Sequence, residues 1–508
     1  MEAMPASQDK IITKLRERRQ IEADLRQMLT TSSNLEFRRR AQQIASLGRQ
    51  VIPTITGNLD RADSRLLTAM GTVAIFLDRQ EVVQALRWAM LQPQRSDQGR
   101  LGAMTILERF LGERPDDHLR ASLVDAKREA VASLEAVVTE AESNPVALVE
   151  YVQGLDRQDP DVVLAVVRAL GDLQGMQRVE LLRMVAQDVR EEIAAEALQV
   201  LGTIRVPEAA AAFQTLIPTC APGLRSVAER LLRKFQFVGV EVTPLPPVLS
   251  EWRALISAVD GMGQQTVWFL QENPWAAHAR FLNILLSDRA GAVEAVGHEQ
   301  VSSLWLPPRR PAGHLHDIAL PDASGAVVML EASFDVGRRL VAEALAKNRE
   351  TQIPVAGVLR LLSPWLWGYG GANSLPARAL PELSSGDAAL IAASGRLLAH
   401  PAFSNWTLRN DLTVQAAEEA SRRPGWDLEL WVKRLAGELL SDPMVAQALS
   451  RRLVAMSEWL LLAGDEDLSR LAVLNAQAIR GEYPQELAFV RALVRRDLEL
   501  ALPKEHLN

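Results

Sequence analysis

Between residues 160 and 235 the apolar positions return with a period of 31 residues. Val162, Val166, Ala169, Leu170 and Leu173 are spaced to share one face of a helix. Thirty-one residues on stand Ile193, Ala197, Val200, Leu201 and Ile204, and 31 further on stand Leu224, Ala228, Leu231, Leu232 and Phe235. Gly171 and Gly202 recur where a glycine ends a helix. A shorter apolar helix follows, with Val179, Leu182 and Val185 matching Ala210, Phe213 and Leu216. A unit of constant length filled by two helices predicts an α-solenoid, whose shorter second helices line a concave face.

From 250 to about 332 the period changes. RALISAVDGMGQQTVWFLQ and RFLNILLSDRAGAVEAVG each carry two β-rich runs around Asp-x-x-Gly. Asp260 and Asp288 are expected to accept from the backbone two residues on, with Gly263 and Gly291 in the left-handed region. HLHDIALPDASGAVVMLEA is expected to add two strands around Pro321 to Gly325. A helix starting at 281–287 is a competing reading, because Arg280, Asn283 and Leu286 do not alternate. After 332 helices return, the first with Ser333 as N-cap. One helix opens at Ser441 and Pro443 and closes at Gly464, a second runs from Asp465 to Gly481, and a last one covers 484–501.

Tryptophan and proline place a boundary. Of eleven tryptophans only Trp88 precedes position 250, and Pro244, Pro246 and Pro247 mark a linker there. The expected fold is mainly α, in three parts. Residues 1–240 form an α-solenoid, 251–380 a small α+β domain of antiparallel hairpins, and 381–508 a C-terminal helical array.

The segment from Asp159 to about 235 resembles the short HEAT-like repeats of the type noted in phycobilin lyases. The resemblance rests on an alanine-rich first helix, Gly171 and Gly202 after it, and Pro207 with Glu208 in the following loop. It is clear over 159–235 and weaker over 33–153, where Ala41, Ile44, Leu47, Gly48 and Pro53 suggest another copy. It implies a stack of helix pairs that binds proteins, and names bilin lyase as an enzyme alternative.

Composition is ordinary for a globular chain, with 48% hydrophobic and 23% charged residues. The net charge of −7 supplies no global field for nucleic acid or an anionic membrane. The single cysteine, Cys220, excludes an internal disulfide framework. The first twenty residues lack the apolar core of a secretory signal, so the cytoplasm is the expected location and no membrane partner is expected. The uncharged stretch 361–377 is interrupted by Pro364, Gly368, Gly370, Gly371 and Pro376.

The chain contains no phosphate-binding Gly-x-x-x-x-Gly-Lys motif, no Gly-x-Ser-x-Gly elbow and no His-Glu-x-x-His pair. Gly261-Met-Gly263 opens like a dinucleotide fingerprint but lacks the third glycine. No catalytic residue and no cofactor is assigned. The metal candidates are His314 and His316, which share a strand face; the alternative is two surface histidines on an edge strand. Residues 10–49 hold ten basic residues against four acids, a local +6. Arg38, Arg39 and Arg40 are therefore candidates to grip an acidic protein or nucleic acid, or else form part of a solvated first helix. Trp365, Trp367 and Tyr369 form the most aromatic loop, an interface anchor if exposed and a plug if buried. The expected function is a non-catalytic adaptor or scaffold that binds a macromolecular partner, a protein, on the helical-repeat surface. The alternatives are a nucleic-acid-associated protein using the basic N-terminal helix, and an enzyme of unrecognised type.

Overall fold

The computed structural model describes residues 20–502, apart from 30–33, 63, 93–94, 114–125, 142–143, 273–276, 320–325, 383–387, 408–410, 422–426 and 482–483. The chain divides into two compact units, Met1–Arg178 and Val179–Asn508.

Unit 1 is helical throughout its described residues. Beyond a helical segment at 20–28, its main helices are α1 (Asn34–Ala45), α2 (Ile52–Asn58), α3 (Ser64–Ala74), α4 (Arg79–Leu91), α5 (Asp97–Thr105), α6 (Ala126–Ala141), α7 (Val146–Leu155) and α8 (Pro160–Asp172). Caps fall where short polar side chains precede an apolar stripe. Asp78 accepts from the Glu81 amide at the start of α4, and Ser96 from the Gly99 amide at the start of α5.

In α8 the buried stripe is Val163, Val166, Val167 and Leu170. Val162, expected at the head of the first column, is 48% exposed. The stripe is rotated by one residue in the first turn, because Pro160 starts the helix and puts Val163 on the inward face. The other heads, Ile193 and Leu224, are buried, as are Val166, Ala197 and Ala228, while Val200, Leu231 and Leu232 are half-buried.

Unit 2 continues with α9 (Gln177–Val185, which begins two residues before the unit boundary), α10 (Glu191–Leu201), α11 (Pro207–Leu216) and α12 (Pro222–Phe237). A six-stranded sheet follows: β1 (Trp252–Ser257), β2 (Gln264–Glu272), β3 (His278–Ser287), β4 (Gly291–Ser302), β5 (Leu315–Ala319) and β6 (Ala326–Ala332). The order is β4-β3-β2-β1-β6-β5 and every pairing is antiparallel. The segment 281–287 is a strand, not a helix, because Leu282, Ile284 and Leu286 alternate into the core. The residues expected to form the β5–β6 turn, 321–325, lie outside the described residues. The strands they join pair with Ile318 opposite Val327.

The two Asp-x-x-Gly turns differ. Asp260 Oδ1 accepts from the Met262 amide at 2.9 Å and the Gln264 amide at 2.8 Å. Asp288 does not play that part: the Arg289 amide goes to Ser287 Oγ at 3.2 Å. The Asp288 carboxylate instead takes Arg452 Nε at 2.8 Å, and Arg452 Nη1 donates to the Gly261 carbonyl at 2.6 Å. One guanidinium thereby ties both hairpin turns to a distant helix.

The remaining helices are α13 (Phe334–Thr351), α14 (Gly357–Trp367), α15 (Ala388–Ala392), α16 (Asp411–Ser421), α17 (Leu428–Leu440), α18 (Pro443–Leu462), α19 (Glu466–Ala478) and α20 (Ala488–Ala501). Ser333 caps α13 as expected, accepting from the Val336 amide at 3.3 Å. The cap of α18 is Asp442 rather than Ser441, and Asp465 caps α19. Helix α13 lies on one face of the sheet, where Phe334, Val341 and Leu345 join Phe269, Ile284 and Leu330 in the core. Buried Asn348 locks its far end to the β3–β4 hairpin: Oδ1 accepts from the Ala292 amide at 2.7 Å and Nδ2 donates to the Ala290 carbonyl at 2.9 Å. Trp459 Nε1 reaches the Ile256 carbonyl at 3.0 Å, joining α18 to β1.

Two substitution pairs check this description by thermal unfolding. Val163→Asp should destabilise by roughly 3 kcal/mol or more, since it buries an unpaired carboxylate, whereas Val162→Asp should be tolerated. Equal melting temperatures would contradict the rotated stripe. Gly263 has φ of +82°, and a Cβ there would fall 2.1 Å from Asp288 Oδ1. Gly263→Val should therefore cost several kcal/mol, while Asp260→Asn, whose amide oxygen still accepts both turn amides, should retain near wild-type stability.

Candidate functional site

Helices α9 and α11 are the short helices that follow α8 and α10 in the chain, and the sequence pattern predicts that they line an open face. The structure gives that face an occupant from the same chain. On α9, Val179, Leu181, Leu182, Met184 and Val185 are buried, and α11 buries Ala209, Ala210, Ala212 and Phe213. Helix α14 packs on α11, and Arg183 of α9 reaches into α14.

The reason lies in Pro364, which sits inside α14. Proline has no amide hydrogen, so the carbonyl four residues earlier, that of Arg360, loses its helical donor. Arg183 Nη1 supplies one at 2.8 Å, Gln187 Nε2 a second at 3.1 Å, and the Ser363 hydroxyl of α14 itself a third at 3.0 Å. The same guanidinium donates to Ser363 Oγ at 2.6 Å and the Leu361 carbonyl at 2.8 Å. Glu180 balances its charge at 2.6 Å. Helix α14 is thus held at its internal proline by an arginine fork from α9.

Next to this junction unit 2 contains a cleft of about 580 Å³. It lies between the 186–192 segment leading into α10, the α11–α12 turn and the C-terminal half of α13. Leu216, Leu224, Leu345 and Val355 give it an apolar floor. Exposed Glu191 and Glu192 stand on its rim. Asp188 is buried and bound by Arg190 through three hydrogen bonds, from the backbone amide at 2.9 Å, Nε at 3.0 Å and Nη2 at 2.8 Å. Arg349 donates to the Thr219 carbonyl at 2.9 Å, and burial lowers its pKa. Gln352, at the end of α13, has a left-handed φ of +57° and donates to the Val189 carbonyl at 3.3 Å. Burial pushes the Cys220 thiol up to about 11, against the opposing pull of the Arg349 and Arg225 guanidiniums. The thiol is therefore held in its protonated, non-nucleophilic form at neutral pH. The arrangement suits binding of an apolar group that carries positive charge.

The residues singled out in the sequence are scattered. Arg38, Arg39 and Arg40 lie on α1 in unit 1; Arg38 and Arg39 are exposed, and Arg40 is paired with Glu36 at 2.8 Å. The basic residues before position 20 lie outside the described residues. The aromatic stretch is no loop, since Trp365 and Trp367 belong to α14. Trp367 is fully buried, which leaves it no surface for a partner. Trp365 and Tyr369 are half-buried; Arg280 stacks over Trp365 at 5.5 Å, and Tyr369 packs edge-on to Trp252 at 6.2 Å. His314 and His316 sit with ring centroids 4.9 Å apart. His314 is exposed, but His316 is buried on β5, where Nε2 lies 2.8 Å from Glu331 Oε2. Glu331 also takes Arg253 Nη1 at 2.8 Å, so its carboxylate serves an ion pair on the sheet. Among the described residues no group of three or more His, Cys, Asp or Glu side chains is placed to hold a metal.

Sequence reasoning missed Arg183, Asn348 and the cleft. A proline four residues after Arg360 was the available signal for an orphaned carbonyl. Nothing local to Arg183 marks it as the donor, and the cleft is built from segments more than a hundred residues apart. No family model, curated protein or solved structure matches the chain.

Two measurements test this chemistry. Arg183→Met should destabilise by about 1–3 kcal/mol through loss of its buried hydrogen bonds to the Arg360 and Leu361 carbonyls and Ser363 Oγ. In a Pro364→Ala background, which restores an amide donor at 364, the same change should cost distinctly less; additive costs would dismiss the proline link. Cys220 in the folded protein should react with iodoacetamide at pH 8 at least about tenfold more slowly than in denaturant, given its raised pKa. Equal rates would show the thiol to be accessible and its acidity ordinary.

Proposed function

We propose that this protein is a non-catalytic adaptor that binds a protein partner on its helical-repeat surface. The observation that carries the reading lies on α4. Trp88 is 64% exposed and Leu91 61%, one helical turn apart on the same side. A tryptophan beside a leucine on a rigid helix is the composition of an interface anchor, and burying the pair favours association by several kcal/mol. The repeats of unit 2 support the reading in another way: α9 and α11 hold a helix, α14, with apolar side chains and an arginine fork. On this reading unit 1 offers an external helix or loop the kind of surface that unit 2 fills from its own chain. Arg38 and Arg39 add exposed positive charge to unit 1, which favours an acidic partner. The same two cations keep nucleic acid as the second reading.

The test is capture from the native cell with the full chain as bait, read by mass spectrometry. Trp88→Ala with Leu91→Ser should keep the wild-type melting temperature and lose the partner. Arg38→Glu with Arg39→Glu should weaken capture at low salt and matter less at 1 M, where screening falls to about 3 Å. Retention of the same partner by both variants would remove unit 1 from the proposal. Salt-dependent heparin retention that only the arginine variant loses would favour nucleic acid.

A further inference from the structure

Unit 2 carries a plug and a socket of opposite character at opposite ends of its sheet. The plug follows β4. After Ser302 the chain makes one short 3-10 turn, Ser303–Trp305, in which Leu304 is 93% and Trp305 83% exposed. The turn is held in place. Leu306 packs on the buried Leu255, Leu270 and Met329 on the second face of the sheet, and Arg253 Nη2 donates to the Pro307 carbonyl. Pro307, Pro308 and Pro311 stiffen the strap that follows. Arg309 and Arg310 on it are exposed, and among the described residues neither forms an ion pair. Two large apolar side chains are thus presented on an anchored turn beside two cations.

The socket is the 580 Å³ cleft. It has an apolar floor, and on its rim Glu191 and Glu192 are exposed and, among the described residues, form no ion pair. Glu191 also leans on the first turn of α12, where a Cβ on Gly223 would come 2.8 Å from Oε1. Apolar anchor meets apolar floor, and two arginines meet two glutamates.

One chain cannot bring the two together. The plug starts where β4 ends, level with the start of β3, since His278 pairs with Ser302. Helix α13 leaves β6 at that same end of the sheet and crosses to the β3–β4 turn, where Asn348 binds Ala290 and Ala292. The socket sits at this far end, against Leu345, Arg349 and Gln352. The 18 residues of α13 separate the ends by roughly 27 Å at 1.5 Å per residue. We infer that the occupant of the cleft is the Leu304–Trp305 turn of a second copy of this chain, with Arg309 and Arg310 facing Glu191 and Glu192. The contact joins two different surfaces, so it is head-to-tail, and each added copy leaves one plug and one socket free.

The test is sedimentation velocity of the full chain over a concentration series, at about 50 mM and about 500 mM salt, where screening differs. The expected result is a mean mass that rises past the dimer with concentration and falls with salt. Leu304→Ser with Trp305→Ser should lose the association at unchanged melting temperature. Arg309→Glu with Arg310→Glu, and separately Glu191→Arg with Glu192→Arg, should each weaken it by at least about tenfold. Combining the two charge reversals should restore it, which loss of folding or general surface charge would not do. Trp88→Ala with Leu91→Ser should leave it intact, so failure of the partner-binding reading and failure of this one are told apart. A chain monomeric at about 100 μM, a closed dimer indifferent to both charge reversals, or a combined variant with no recovery would each overturn the inference. So would a monomer whose strap arginines instead bind phosphatidylserine vesicles.

Discussion

The organisation of unit 2 depends on a carbonyl that has lost its helical amide donor. Pro364 removes the amide donor owed to the Arg360 carbonyl, and Arg183, Gln187 and the Ser363 hydroxyl replace it. Two of its three donors come from outside the helix, and a hydrogen bond is worth about 0.5–1.5 kcal/mol net, so α14 is worth less alone than against α9. Its position in turn sets the rest: α14 carries Leu359, Leu366 and Trp367 into the core beneath the sheet. The short helices α9 and α11 bury their apolar residues within this unit.

Charge is used in the same way elsewhere. Arg452 joins the two hairpin turns of the sheet to α18 through Asp288 and the Gly261 carbonyl. Arg253 joins β1 to Glu331 of β6, Glu272 of β2 and the strap after β4. Arg339 of α13 meets Glu458 of α18, where burial raises the pKa of the carboxyl and the guanidiniums of Arg339 and Arg378 oppose it. In each case a planar fork with several donors satisfies acceptors from different segments, which a single ammonium does less well. These arginines bridge elements that share no hydrophobic stripe, and they direct the packing of helix on sheet.

What remains at the surface is correspondingly specific. Trp88 with Leu91 on α4, and Leu304 with Trp305 beyond β4, are large apolar pairs left in water within a structure that buries Trp367, Trp406 and Trp459. Their backbones are held, by a capped helix in one case and a pinned strap in the other. Pre-ordered anchors lose little conformational entropy on association. The cleft beside α10 adds a concave, acid-rimmed counterpart.

Periodicity made much of the secondary structure legible. The 31-residue recurrence located α8, α10 and α12 because an apolar stripe repeats whenever helices bury the same face. The Asp260 and Gly263 turn was legible because both its hydrogen bonds and its positive φ are local. Val162 and Asp288 were misread where a neighbour in sequence, Val163 or Ser287, served as well by every local rule. The aromatic run at 365–369 read as a loop because proline and glycine break isolated helices; tertiary donors removed that penalty. Which helices cover the second face of the repeats, where Arg183 points, and which segments enclose the cleft depend on contacts between residues more than a hundred positions apart. Such contacts leave no period in the chain, and only tertiary structure decides them.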